Sequence, residues 1–356
     1  MRVKVADIII ITYITISTLF FFSFAKTDIE LATDTDQTIK GYRLYADHPT
    51  YVNAYRDVDN IVQLLLLKPN YLGPTLILGI FGENLNIIYF LNISLLIICF
   101  ILIKKYLSID KLKLVVLLLI NPVLFFSLFS INKEIISLLA IILFCIYLEY
   151  RKFIILFISI VIALLARKEL SLLFIILFLI FRFIPFWDIK NKLVLLAIII
   201  IITIANNLII NNFQSISEYL LESDASVNSD GTKGTITMLN EIQNKYGYVF
   251  VVIPKIMLNL FGSLIRLDSL FNFDDVYNNF VIWVQSLLFF VLIPIALFNT
   301  RNSQDLFLAK VLFTFNILCI LFAFIPISQN RYYFPCYFLI ILLICNKNTS
   351  KHIKPE

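Results

Sequence analysis

The chain has 356 residues, of which 60% are hydrophobic and only 15% charged, with a mean hydropathy of +0.91. A soluble domain carries about 45–50% apolar and about 25% charged residues, so this composition excludes a fold built for water. The net charge of +5 is scattered without a basic tract, which excludes nucleic acid as a partner; five cysteines inside apolar runs and only two histidines exclude a disulfide frame and a metal site.

The first apolar run, 7–24, follows Arg2 and Lys4 as a signal peptide would, but it is long and has no small-residue cleavage pattern. It reads as a retained helix. A polar loop, 25–84, comes next, with Asp28, Glu30, Asp47, His48, Tyr51, Tyr55 and Arg56. His48 reads as a solvated loop histidine, and apolar residues at helical period over 51–67 predict a helix lying along the membrane surface. The short run 71–82, with Gly73 and Pro74, reads as re-entrant or interfacial.

Runs that reach or approach spanning length follow at 85–103, 113–130, 134–149, 153–166, 169–184 and 193–210. A second large loop, 211–278, begins polar, becomes amphipathic over 236–248, and meets a doubtful apolar piece, 249–265, that contains Pro254, Lys255 and Gly262. Runs at 279–298, 307–326 and 332–346 complete the set. The expected architecture is an all-α polytopic membrane protein, a single domain over 1–356, with about ten transmembrane helices and two large outward loops carrying amphipathic helices.

Loop charge then sets the direction. With both termini cytoplasmic, 16 of the 29 basic residues lie inside and 18 of the 24 acidic residues outside. Three outward turns break the rule: Asn132-Lys133-Glu134, Arg167-Lys168-Glu169 and Asn330-Arg331-Tyr332-Tyr333. The 29 residues from Phe153 to Phe181 are too many for one span and too few for two full ones. They read as two short helices whose turn, with Arg167, Lys168 and Glu169, is recessed below the outer surface. Lys133 with Glu134 and Arg167 with Glu169 read equally as hairpin ion pairs, and Asn132 and Asn330 are expected at reagent-accessible turns. Three basic turns on one face point to a site for a phosphate-bearing ligand, since the guanidinium fork suits phosphate oxygens. Tyrosines gathered on that side suit a membrane-interface belt and, more weakly, sugar rings.

Asn121-Pro122, Asn132-Lys133-Glu134 opening a helix, Arg167-Lys168-Glu169, Arg331-Tyr332-Tyr333, and the early Asp47, Tyr51 and Tyr55 before Pro69, Asn70 and Tyr71 together resemble the O-antigen and capsule repeat-unit polymerases. The resemblance implies a glycosyltransferase of the bacterial inner membrane that extends a glycan on undecaprenyl diphosphate at the outer face. It implies no cofactor, and as partners lipid-linked oligosaccharide, membrane lipid and a chain-length regulator. Arg167, Lys168, Arg331 and Lys133 would hold the diphosphate, with Tyr332, Tyr51, Tyr55 and Arg56 as further substrate contacts. The base would be Glu169, Glu134 or Asp47. A single-sugar transferase using a lipid carrier, with Asp28 or Asp47 as base, is the nearest alternative; a lipid-linked glycan flippase is a third.

Overall fold

The computed structural model describes residues 2–35, 44–45, 47–57, 71–183, 197–204, 235–267, 271, 275–301, 305–324 and 330–346. Nearly all of these are helical, and no strand occurs among them. Helix α1 (Arg2–Phe20) passes through a π turn, Phe21–Ala25, into α2 (Lys26–Thr35). The chain continues as α3 (His48–Arg56), α4 (Leu72–Phe81), α5 (Leu85–Tyr106), α6 (Lys111–Leu119), α7 (Pro122–Phe126) and α8 (Glu134–Tyr150). After these come α9 (Phe153–Ala166), α10 (Lys168–Phe183), α11 (Thr235–Tyr246), α12 (Val252–Phe261), α13 (Ile282–Arg301), α14 (Leu306–Phe324) and α15 (Phe334–Cys345). One apolar core runs from Ala6 on α1 to Cys345 on α15.

Among the described residues, four helical segments are long and apolar enough to cross a membrane: Val5–Thr33, Leu85–Tyr106, Tyr277–Thr300 and Leu306–Phe324. Several other expected spans are shorter helices. At 1.5 Å per residue, α9 and α10 reach only about 21 and 24 Å, against a hydrocarbon core of about 30 Å. The expected run 113–130 breaks at Asn121-Pro122, where the Asn121 side chain accepts from the Val123 N–H at 2.9 Å and restarts the helix as α7. The non-helical stretch after α7 is tolerable because it is buried in protein, where its polar backbone finds partners. Every residue of α15 is buried, so its short length faces other helices.

The polar loop expected from residue 25 begins later, since the helix runs on through Asp28 and Glu30 to Thr35. Of the helix expected over 51–67, the described residues show α3, and the amphipathic stretch expected over 236–248 forms α11. The doubtful piece 249–265 forms α12 and a 3-10 turn, Gly262–Ile265, packed on α13 and α14. There Lys255 is fully buried and donates to Gln243 Oε1 at 2.5 Å. Most of the expected span 193–210, the polar start of the second loop at 211–234, and Pro69 and Asn70 lie outside the described residues.

Contacts sort the helix ends into two groups. At one end, Lys104 bonds Asp7, Tyr106 meets Tyr150, Ile109 bridges to Asn346, and Asn346 donates to Asp305. At the other, His48, Lys133, Arg167 and Arg331 converge.

Gly73 sets how closely α4 approaches α9. A Cβ there would lie 2.1 Å from the Leu165 carbonyl oxygen, two residues before Arg167. Gly73→Ala must separate the two backbones, and overpacking of this kind costs about 1–3 kcal/mol. Its unfolding temperature in detergent should fall; an unchanged value would show that the helices part freely.

Candidate functional site

The site is assembled by two amide-organised turns. In the first, between α7 and α8, Asn92 of α5 donates to the carbonyls of Leu128 (3.1 Å) and Ser130 (2.9 Å). Asn132 donates to the Ser127 and Ser130 carbonyls at 2.5 and 3.0 Å, and its Oδ1 accepts the Glu134 N–H at 3.1 Å. In the second, before α15, Gln285 of α13 donates to the Asn330 carbonyl (2.9 Å) and Oδ1 (2.6 Å), while Asn330 donates to the Leu260 carbonyl at 3.0 Å. Asn132 and Asn330 are therefore buried, contrary to the expectation of accessible turns. Their amides close the turns, which fixes the charged residues that follow.

These turns bring Lys133, Glu134 and Arg331 together with Arg167 from the α9–α10 turn and Asp47 at the start of α3. Arg331 Nη2 contacts Asp47 Oδ1 at 2.9 Å, and the Tyr51 hydroxyl donates to Asp47 Oδ2 at 3.2 Å. Arg167 pairs with Glu134 at 3.4 Å, not with Glu169, because the turn aims the guanidinium across to α8. Arg167 also stacks on the Tyr332 ring, 4.0 Å from its centroid, and its Nε is buried without a hydrogen-bond partner among the described residues. Arg331 lies 5.6 Å from the same ring, so Tyr332 links the two guanidiniums. Lys133 donates its backbone N–H to Glu134 Oε2 at 3.1 Å but sends its ammonium over Tyr51 and Tyr71, at 5.3 and 5.2 Å. The expected Lys133–Glu134 hairpin ion pair is thus replaced by an aromatic cage.

Electrostatics follow from this crowding. Burial raises the Asp47 carboxyl, but Arg331, by charge and hydrogen bond, with Lys133 and Arg167 behind it, holds it below the ordinary carboxylate value. Burial and then Arg167 push the Lys133 ammonium down to about 8, against the opposing pull of Asp47, Glu134 and Glu169. Comparison with family models, curated proteins and solved structures finds no match. The residues of the cluster must carry the chemical reading.

Other expected contacts stand at the margin. Lys168 is exposed and Glu169 half-buried. Tyr55 packs beside Tyr51 and Val52 in a small apolar cluster, and Arg56 forks onto Glu83 at 2.9 and 2.5 Å on the surface. Sequence reasoning missed Tyr71 as the second wall of the lysine cage, and Asn92 and Gln285 as turn organisers. A lone amide within an apolar span was the available signal for both.

His48 is corrected from solvated to buried, with 1% exposure. Its Nδ1 accepts the Ile131 N–H at 3.2 Å, tying α3 to the first turn. Burial, only partly opposed by Glu83, lowers it from 6.5 to about 4. A base whose folded value is depressed stabilises the fold fully above its ordinary value and less as pH falls. Unfolding temperature should therefore drop between pH about 6.5 and about 4, and His48→Asn should flatten that slope. An identical slope in the variant would show that other groups set it.

Proposed function

We propose that this chain joins undecaprenyl-diphosphate-linked oligosaccharide repeat units into O-antigen or capsular polysaccharide at the outer face of the bacterial inner membrane. The observation that carries the reading is the convergence of Lys133, Arg167 and Arg331, from three separate turns, on Asp47 and Glu134 at one end of the bundle. A diphosphate leaving group needs fixed cations where its charge develops, and buried fixed dipoles and charges stabilise such charge without reorganising. Arg167, with its long ion pair and unpartnered Nε, keeps hydrogen-bonding capacity for a ligand oxygen.

In this reading the acceptor hydroxyl oxygen attacks the anomeric carbon of the growing chain. The bond to the diphosphate oxygen breaks, the carrier diphosphate leaves with the electron pair, and a carboxylate takes the hydroxyl proton. Asp47 is the more accessible carboxylate, with 30% side-chain exposure against 5% for Glu134. Tyr51, Tyr71 and Tyr332 supply ring faces beside it. The ten-crossing topology with both termini cytoplasmic belongs to the same proposal. It is supported by the two groups of helix ends: Asp7, Lys104, Asp110 and Asp305 gather opposite the arginine cluster.

Asp47 at the centre of the cluster also favours a second reading, transfer of a single sugar from a lipid monophosphate. Reconstituted protein given undecaprenyl-diphosphate repeat units should produce a ladder of longer lipid-linked glycans. A single added sugar from a lipid-monophosphate donor, with no ladder, would establish the second reading, and movement between leaflets without a new glycosidic bond would establish a flippase.

A further inference from the structure

At the end of the bundle opposite the arginine cluster, a pocket of about 260 Å³ opens where α5 ends and α6 begins, lined by Lys104, Lys105, Tyr106, Ser108, Lys111 and Tyr150 among others. Its walls are fixed. Tyr106 meets Tyr150 edge to face at 5.9 Å, the Asp110 N–H donates to the Cys345 carbonyl at 2.8 Å, and Ile109 bridges to Asn346. Among the described residues no carboxylate lines it. Asp7 pairs with the lining Lys104, and Asp110, beside the lining Ile109 and Lys111, accepts the Lys113 N–H at 3.2 Å and so caps α6. Even with Lys104 matched to Asp7, Lys105 and Lys111 leave the pocket positive.

We propose that this pocket binds the phosphate of an anionic phospholipid headgroup. The volume fits a phosphate-sized group, and the helix face beside it selects a lipid over a soluble anion. The volume is below the roughly 300 Å³ at which pockets for whole drug-sized ligands begin, which suits a headgroup alone. Ile97, Ile101 and Lys105 follow one another at four-residue steps on one face of α5, and both isoleucines are exposed. A lipid whose phosphate meets Lys105 lays its acyl chains along Ile101 and Ile97. Basic residues at a cytoplasmic membrane surface are common for topological reasons alone. Here they line an open pocket with tyrosines and a serine, which topology does not require. Basic pockets between transmembrane helices on the cytoplasmic side take phosphate-bearing headgroups on the same physical grounds. The site is separate from the glycan chemistry proposed above and stands or falls independently of it.

The test uses the full chain in neutral detergent, with unfolding temperature read as phosphatidylglycerol, phosphatidylcholine or inorganic phosphate is added. Phosphatidylglycerol should raise the unfolding temperature saturably and phosphatidylcholine should not. In Lys105→Gln/Lys111→Gln the half-saturating concentration should rise about thirty-fold, while Lys152→Gln, an exposed neighbour outside the pocket, should behave as wild type. Equal half-saturation in the double variant and wild type, or no response to phosphatidylglycerol, would overturn the proposal. The same shift from millimolar inorganic phosphate would overturn its lipid part and leave a soluble anion as the ligand.

Discussion

Arg167→Ala is expected to lower the rate of glycan extension by about 10²–10³-fold, the usual effect of removing one fixed donor from a site of developing negative charge. The protein should still reach the membrane. Arg167 pairs with Glu134 at 3.4 Å, and its removal leaves that carboxylate, 5% exposed, with the Lys133 N–H at 3.1 Å, so a loss of stability should accompany the loss of rate. Arg167→Lys separates charge from shape. Lysine keeps the positive charge but loses the planar fork and the stacking on Tyr332 at 4.0 Å, so it should remain far below wild type. Measured rates of lipid-linked chain growth decide the matter; a lysine variant at wild-type rate would leave only a bulk electrostatic role for this position.

Arg331→Ala should also damage both stability and activity. It leaves Asp47 without its cation inside a crowded cluster, and breaking one side of a buried pair costs about 3–5 kcal/mol. The lower end applies because the Asp47 side chain is 30% exposed. Asp47→Asn/Arg331→Gln removes both charges and keeps the shapes, so the unfolding temperature should recover while chain extension stays absent. Recovery of long chains in the double variant would mean that the pair only holds α3 against the turn before α15.

Much of the helical pattern was legible in the sequence. The hairpin expected as 153–166 and 169–184 is observed as Phe153–Ala166 and Lys168–Phe183, because charges interrupt an otherwise continuous apolar run at one place. The partners of those charges were not legible. Asp47 and Arg331 are 284 residues apart, and which of Glu134 and Glu169 meets Arg167 depends on the direction of a one-residue break between α9 and α10. Helix surroundings were not legible for a similar reason. Apolar composition looks alike whether a helix faces lipid or, as with α15, other helices. The amides were hidden too, since Asn92 and Gln285 act on backbone carbonyls far along the chain and leave no local spacing pattern.

His48 shows the limit from the other side. Beside Asp47 and before Pro49 it looked like a loop residue open to water, yet His48 and Pro49 form the first turn of a helix whose docking buries the imidazole. Its role is the Ile131 contact, which holds the α3 carboxylate near the cations of the first turn.

The central claim, that the arginine cluster joins lipid-linked repeat units, is tested most directly by deleting the gene and resolving the surface polysaccharide on a gel. Single repeat units on the lipid core, with restoration of the ladder by the wild-type gene but not by Arg167→Ala, is the predicted result. A ladder of normal length after deletion would contradict the claim; so would a truncated repeat or the loss of all surface units.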